Sequence, residues 1–340
     1  MSDHRTPRLA DIAAQAEVSE ATVSRVLNDR PGVASATREA VLTAVDVLGY
    51  DRPSRLRLKA TSLVGLVIPE LVNPIFPLFA QHIESALAAH GFTPVLCTQA
   101  PGGISEDEYV ELLLDRGVSG IIYVSGRHAD STSEAERYRR LQERGLPIVL
   151  VNGPIPELDV PAISNDDVGS MQLAVAHLAE LGHTRIGLAV GPHRFTPVLR
   201  KVDGFREAIR DRHGRNADPL ITHTVFSVEG GGAAASRLIS LGATAIICGS
   251  DLMALGAVRA ATAMGLDVPG DVSVVGYDDS PLMEFTGPPL TTIRQRVGAM
   301  SEAAVEALVD LVHGTWTGSG ELIFRPELVV RGSTGAARLR

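Results

Sequence analysis

From Leu63 onward, short apolar runs rich in β-branched residues alternate with longer amphipathic stretches, and this alternation limits the fold more than any other feature. The runs span 63–68, 94–97, 120–124, 147–151, 186–190, 224–226, 245–248 and 272–277. The stretches span 79–90, 107–116, 134–144, 168–181, 202–212, 233–241 and 252–264. Continuously apolar strands have both faces covered, and strands followed by helices pair in parallel. The order therefore predicts an α/β fold of parallel sheets with helices on both faces. Eight or so strands fit one large sheet, a barrel or two smaller sheets. A sheet opened at residue 63 and re-entered near Thr291-Thr-Ile293, with a helix over 297–312, favours two lobes joined by crossovers.

The first fifty residues follow another rule. Leu9, Ile12, Ala13 and Ala16 recur at helical spacing and share one face. Ser19 stands as an N-cap before Thr22, Val23, Val26 and Leu27, and Ser35 before Val41, Val45 and Leu48, with Gly49 ending the pattern. Three helices predict a small domain. The first two, joined by Ala16-Glu17-Val18, have the spacing of a helix-turn-helix, whose second helix enters the DNA major groove.

Charge divides along the same line. The net charge of -9 argues against a bulk nucleic-acid polyelectrolyte, and 45% hydrophobic residues exclude disorder as the dominant state. Residues 1–60 hold nine basic and eight acidic residues, leaving 22 basic against 32 acidic in the remainder. Arg52, Arg55, Arg57 and Lys59 form a short basic strip opposed only by Asp51. The opening residues carry no export signal and no run is long enough to span a membrane. Cys97 and Cys248 sit inside apolar runs as buried thiols do. A cytoplasmic protein, with no membrane partner and no cofactor, is expected.

Residues 9–28 read Leu-Ala-Asp-Ile-Ala-Ala-Gln-Ala-Glu-Val-Ser-Glu-Ala-Thr-Val-Ser-Arg-Val-Leu-Asn. They are followed by Thr37-Arg38, Leu48-Gly-Tyr50, Pro53, Val64-Gly-Leu-Val-Ile-Pro and Asn73-Pro. Further on come Leu181-Gly-His-x-Arg-Ile-Gly187, Asp251-Leu-Met-Ala-Leu-Gly256, Val268-Pro-x-Asp-Val-Ser-x-x-Gly-Tyr-Asp278 and Leu290-Thr-Thr-Ile. With this ordered series the chain resembles the lactose-repressor (LacI/GalR) family of bacterial transcription regulators over essentially its whole length. The resemblance implies a helix-turn-helix DNA-binding head at 1–52, a basic hinge at 53–62, and a two-lobed, periplasmic-binding-protein-like domain for effector binding and dimerisation at 63–340. It implies a homodimeric repressor on a pseudo-palindromic double-stranded operator, controlled by a small molecule, a sugar being expected, and no catalytic or metal site.

On the second helix the apolar positions must face the head's core, which leaves Glu20, Ala21, Ser24, Arg25 and Asn28 outward. Arg25 can fork to guanine, while Ser19, Ser24 and Asn28 suit phosphate oxygens. By resemblance Glu20 and Ala21 read bases and Tyr50 joins the DNA-binding set. Two departures stand out. Glu17 occupies a turn position where the family usually has Gly. The hinge is shorter than usual and lacks an Ala-Arg pair, so Arg55 and Arg57 are expected on phosphates, with Leu56 or Leu58 as the minor-groove wedge.

Strand C-termini in two parallel lobes place loop residues around a cleft. Asn73, Phe76, Asn152, Asn165, Phe226, Asp251 and Asp278 follow strands, and amides and carboxylates beside aromatic faces suit a polyhydroxylated ligand. The resemblance places all of these but Asn73 at or beside effector-contact positions and adds Lys201, where the family often has Arg. Asp251 has an alternative role as the cap of a helix starting at Leu252. Gly230-Gly-Gly232 lies where a phosphate cradle would sit but matches neither nucleotide-loop spacing. Ser125-Gly126 lacks the preceding Gly of a nucleophile elbow, and the histidines show no metal-ligand spacing. The tail after Val330 carries no leucine heptads, so no coiled-coil tail is expected. A sugar-transport protein and a sugar-converting enzyme are the competing classes.

Overall fold

The computed structural model describes residues 8–27, 32–48, 50, 62–99, 103–214, 216–318 and 320–338. The expected contacts Asn28, Arg55, Leu56, Arg57 and Leu58 lie outside the described residues. Two compact units divide the chain, Met1–Thr61 and Ser62–Arg340.

In the first unit, α1 (Leu9–Gln15), α2 (Glu20–Leu27) and α3 (Ser35–Leu48) enclose Ile12, Ala13, Val23, Val26, Val41 and Ala44. The helical spacing read from the sequence supplies this core. Ser19 caps α2, its hydroxyl accepting from the Thr22 amide at 3.2 Å. At the other end of the turn Glu17 takes a left-handed backbone, φ 54°. The helix α3 starts on Ser35 itself, so the residue expected as its cap is already helical.

The second unit holds two six-stranded sheets. The first, ordered β11-β5-β4-β3-β1-β2, comprises β1 (Ser62–Ile68), β2 (Phe92–Thr98), β3 (Gly120–Val124), β4 (Ile148–Val151), β5 (Ala162–Asn165) and β11 (Glu321–Phe324). The second, ordered β12-β10-β9-β8-β6-β7, comprises β6 (Ile186–Val190), β7 (Ile221–His223), β8 (Ala245–Cys248), β9 (Ser273–Asp278), β10 (Thr291–Arg294) and β12 (Glu327–Val329). Every strand pair is parallel except β10 with β12, which is antiparallel.

Alternate residues of each central strand enter opposite cores, as the two-residue period requires. On β1, Leu66 and Ile68 pack under α4 (Ile75–Ala89) and α11 (Val297–His313), while Val67 faces the layer of α5 (Glu106–Asp115) and α6 (Glu136–Glu143). In the second lobe, α7 (Asp167–Glu180) and α8 (Thr196–His213) cover one face, and α9 (Val228–Ser240) and α10 (Asp251–Ala263) the other. Burial of both faces is why the strands read as unbroken apolar runs. The chain passes between lobes three times, at β5 to α7, β10 to α11, and β11 to β12.

Several expectations need correction. Residues 224–226 are not a strand. The edge strand β7 precedes them, and Phe226 instead turns toward the interior beside Phe195. Thr291-Thr-Ile293 stays in the second sheet, and it is α11 that returns to the first lobe. Three strands, β5, β11 and β12, are short and too polar or too exposed to show as apolar runs. Gly230-Gly-Gly232 lies inside α9, where a Cβ on Gly231 would fall 2.1 Å from Met253 O of α10. These glycines serve helix contact rather than a phosphate. The described tail runs along the second lobe, with the Ser333 hydroxyl donating to Val274 O and His183 Nε2 donating to Gly335 O.

Candidate effector cleft and DNA-reading helix

On α2 the core positions Val23 and Val26 fix the helix phase, so Ser19, Glu20, Ala21 and Arg25 stand exposed and Ser24 half-exposed on the opposite side. This is the face a groove-reading helix presents. Tyr50 is half-buried and packs against the head's core.

Between the two sheets lies a cavity of about 180 Å³. Its wall takes six of the expected residues, Asn73, Phe76, Asn152, Lys201, Phe226 and Asp278. Asn165 and Asp251 are not among the lining residues. The Asn165 amide donates to the Ser170 hydroxyl at 3.2 Å and to Tyr277 OH, beneath the wall. Asp251 is fully buried: Oδ1 accepts from Thr292 Oγ1 at 2.6 Å and Oδ2 from the Ser280 amide at 2.7 Å. Nor does Asp251 cap its helix, since Ser250 does so, its hydroxyl accepting from the Met253 amide. One residue of helical phase separates a cap at the cavity from a carboxylate in the core.

The polar floor is built around a buried ion pair. Lys201 is 6% exposed, and its Nζ donates to Asp167 Oδ1 at 2.5 Å while lying 3.9 Å from the Tyr277 ring centre. Tyr277 OH donates to the same oxygen at 2.7 Å. An ammonium has three donors and Asp167 takes one, so Lys201 retains hydrogen-bonding capacity at the cavity wall. Asp278 sits beside it with a positive φ of 116°, its Oδ1 accepting from Gln295 Nε2 at 2.7 Å. Burial pushes the Asp278 carboxyl well above its usual range, and the neighbouring Asp251 adds to this. Burial likewise pushes Asp251 up to about 6.

Aromatic and small groups add to the second lobe's side of the wall. Phe195 and Phe226 lie with ring centres 6.5 Å apart, and Gly191 makes room, since a Cβ there would fall 2.1 Å from the Phe226 ring. From the first lobe, Asn152 and Ser125 both adopt left-handed backbones, φ 64° and 49°, and the Asn152 amide donates to Ser125 Oγ at 3.2 Å. Glu70, half-buried at the wall, has its carboxyl raised by burial. Asp167, Gln295, Phe195, Ser125 and Glu70 were absent from the expected binding set, and Tyr277 stood only in the general set of polar and aromatic residues after strands. Tyr277 and Ser125, each at the end of an apolar run, carried a strand-end signal in the sequence. Polar donors and acceptors together with aromatic rings in one wall can hold a ligand that hydrogen-bonds at its edges and packs on its ring faces.

Comparison with known proteins settles what kind of molecule carries these two sites. Residues 8–53 match the family of bacterial regulatory proteins, lacI family, and residues 175–334 match a periplasmic binding protein-like domain. The HTH-type transcriptional regulator MalR of Streptomyces coelicolor is 59% identical over 336 residues, covering 98% of each chain. The chain belongs to the LacI family. This LacI-family regulator is also similar to solved structures of the transcriptional regulator CelR–cellobiose complex, at 33% identity and TM-score 0.72, covering 96% of this chain and 99% of that one. A Lac repressor dimer bound to operator and the anti-inducer ONPF matches at 27% identity and TM-score 0.70, covering 98% and 100%. The LacI-family chain is thus a DNA-binding transcriptional regulator, and its family and relatives are named as regulators rather than enzymes. Among the described residues no helix is long and apolar enough to cross a membrane.

Proposed function

We propose that this regulator is a repressor that binds a pseudo-palindromic operator as a homodimer and responds to a sugar held in the cleft between its lobes. The observation that carries the effector reading is the cavity itself: a buried Lys201–Asp167–Tyr277 floor, with Asp278, Asn152, Phe195 and Phe226 also in its wall. The cellobiose complex of a similar regulator supports a saccharide as the ligand class. In the head, Arg25, Glu20 and Ala21 read base edges, while Ser19, Ser24, Asn28 and Tyr50 hold the backbone. Residues 53–62 form the hinge, with Arg55 and Arg57 on phosphates and Leu56 or Leu58 as the wedge. Dimerisation accords with the dimeric state in the Lac repressor structure and with the need for two half-sites.

Fluorescence anisotropy with DNA from the regulator's own upstream region, with and without a panel of mono- and oligosaccharides, tests this reading. Specific, salt-sensitive binding that one saccharide shifts is expected. Arg25→Ala should remove specific binding and keep saccharide binding, whereas Asp278→Ala should keep DNA binding and lose the saccharide response. A panel without effect on the wild-type complex argues against the sugar, and an unaltered response in Asp278→Ala argues against the site.

A further inference from the structure

Two loops from different lobes meet beside the cavity. The Ser131 amide and hydroxyl both donate to the Arg194 carbonyl, at 2.8 and 2.7 Å, and Asp130 pairs with Phe195 as a single antiparallel bridge. Arg194 Nε donates to Asp130 Oδ2 at 2.8 Å. The other carboxylate oxygen of Asp130 is already held by the Thr132 amide at 2.9 Å and the Thr132 hydroxyl at 2.6 Å, so the acceptor is fixed in place before the arginine arrives. The Arg194 guanidinium also stacks 4.7 Å from the Phe195 ring centre. Ala129 and Phe195, adjoining these contacts, line the cavity.

The covalent crossovers between the lobes lie elsewhere, at β5 to α7, β10 to α11 and β11 to β12. Contacts between the loops after β3 and β6 are therefore the kind that hinge opening breaks. We propose that Asp130, Ser131 and Arg194 form a clasp that ties the two lobes together on this side of the cleft and slows the entry of bulky molecules to the cavity. The clasp depends on the sugar reading only for the identity of what is admitted.

Alkylation of a Ser125→Cys protein measures entry without any ligand, because Ser125 lines the cavity and the native Cys97 and Cys248 are buried. Iodoacetamide serves as the small reagent and N-(1-pyrenyl)maleimide as the bulky one, each used on the full chain after its far-ultraviolet spectrum and melting curve match the parent. Adding Arg194→Ala or Asp130→Asn should raise the pyrenyl rate roughly fivefold, the scale of a partly exposed ion pair, and the iodoacetamide rate less. Arg194→Lys should recover part of the protection. Unchanged rates in both clasp variants overturn the clasp, and equal gains for both reagents overturn its selectivity for bulky molecules. Protection of the same cysteine by glucose or maltotriose reads the effector proposal separately, so its failure leaves the clasp result standing.

Discussion

Glu17 adopts φ 54° in the turn between α1 and α2, where the Val18 amide bonds back to the Ala13 carbonyl at 3.0 Å. An L side chain there costs about 1–2 kcal/mol, which glycine avoids at some price in chain entropy. The fold keeps the left-handed turn rather than re-shaping it, so the core fixed by Ile12, Val23 and Val26 outweighs the strain. Glu17→Gly is expected to slow hydrogen exchange at the Ile12 and Val23 amides of the full chain roughly fivefold, equivalent to about 1 kcal/mol. Exchange that is unchanged or faster would show that the glutamate is not strained. At this scale residue type was legible and direction was not. Asp251 and Asp278 both follow strands, yet only Asp278 lines the cavity, because Asp251 turns inward to Thr292 and Ser280.

Among the elements, α9 and α10 pack closely enough that their glycines cannot be replaced freely. A Cβ on Gly256 would fall 1.9 Å from Val228 O, and one on Gly231 2.1 Å from Met253 O, whereas one on Gly232 would meet Gly256 O at 3.2 Å. Gly231→Ala gains up to about 1 kcal/mol of helix propensity but must separate two backbones, an overpacking penalty of about 1–3 kcal/mol or more. A lowered urea midpoint is expected for Gly231→Ala, with a smaller change for Gly232→Ala; equal midpoints for the two would discount the helix contact. Central strands such as β3, β6 and β8 were legible to the residue because both faces are buried. The strand β7 and the short β5, β11 and β12 were not, since pairing rather than composition makes them strands. The mistaken run at 224–226 has the right residue types, but its Phe226 packs at the cavity instead of in a ladder.

Across the whole molecule, charge and apolar surface are distributed unequally. The sequence beyond residue 60 carries ten more acidic than basic residues, so bulk attraction to DNA is weak, and in the proposed operator complex the affinity comes from the head and the basic strip. Leu282 is 67% and Phe285 76% exposed on the second lobe, while Val72 and Leu96 stand exposed on the first. Apolar groups of this size at the surface suit burial against a second copy. Phe285→Glu should therefore shift the sedimentation velocity toward a single chain and weaken operator binding with the fold intact. A dimer that persists unchanged would place the interface elsewhere. The sequence by itself determined the class of fold, three short helices before an α/β region of parallel sheets, because helix and strand periods are local and survive reading along one line, while the ordered motif series carried the resemblance to a family of regulators. Only the tertiary structure decided which polar residues after the strands reach the cavity, and that Arg194 meets Asp130 across the cleft from 64 positions away. Those outcomes depend on the residue at which each loop passes into the next helix and on how two lobes come together, and neither leaves a periodic trace in the chain.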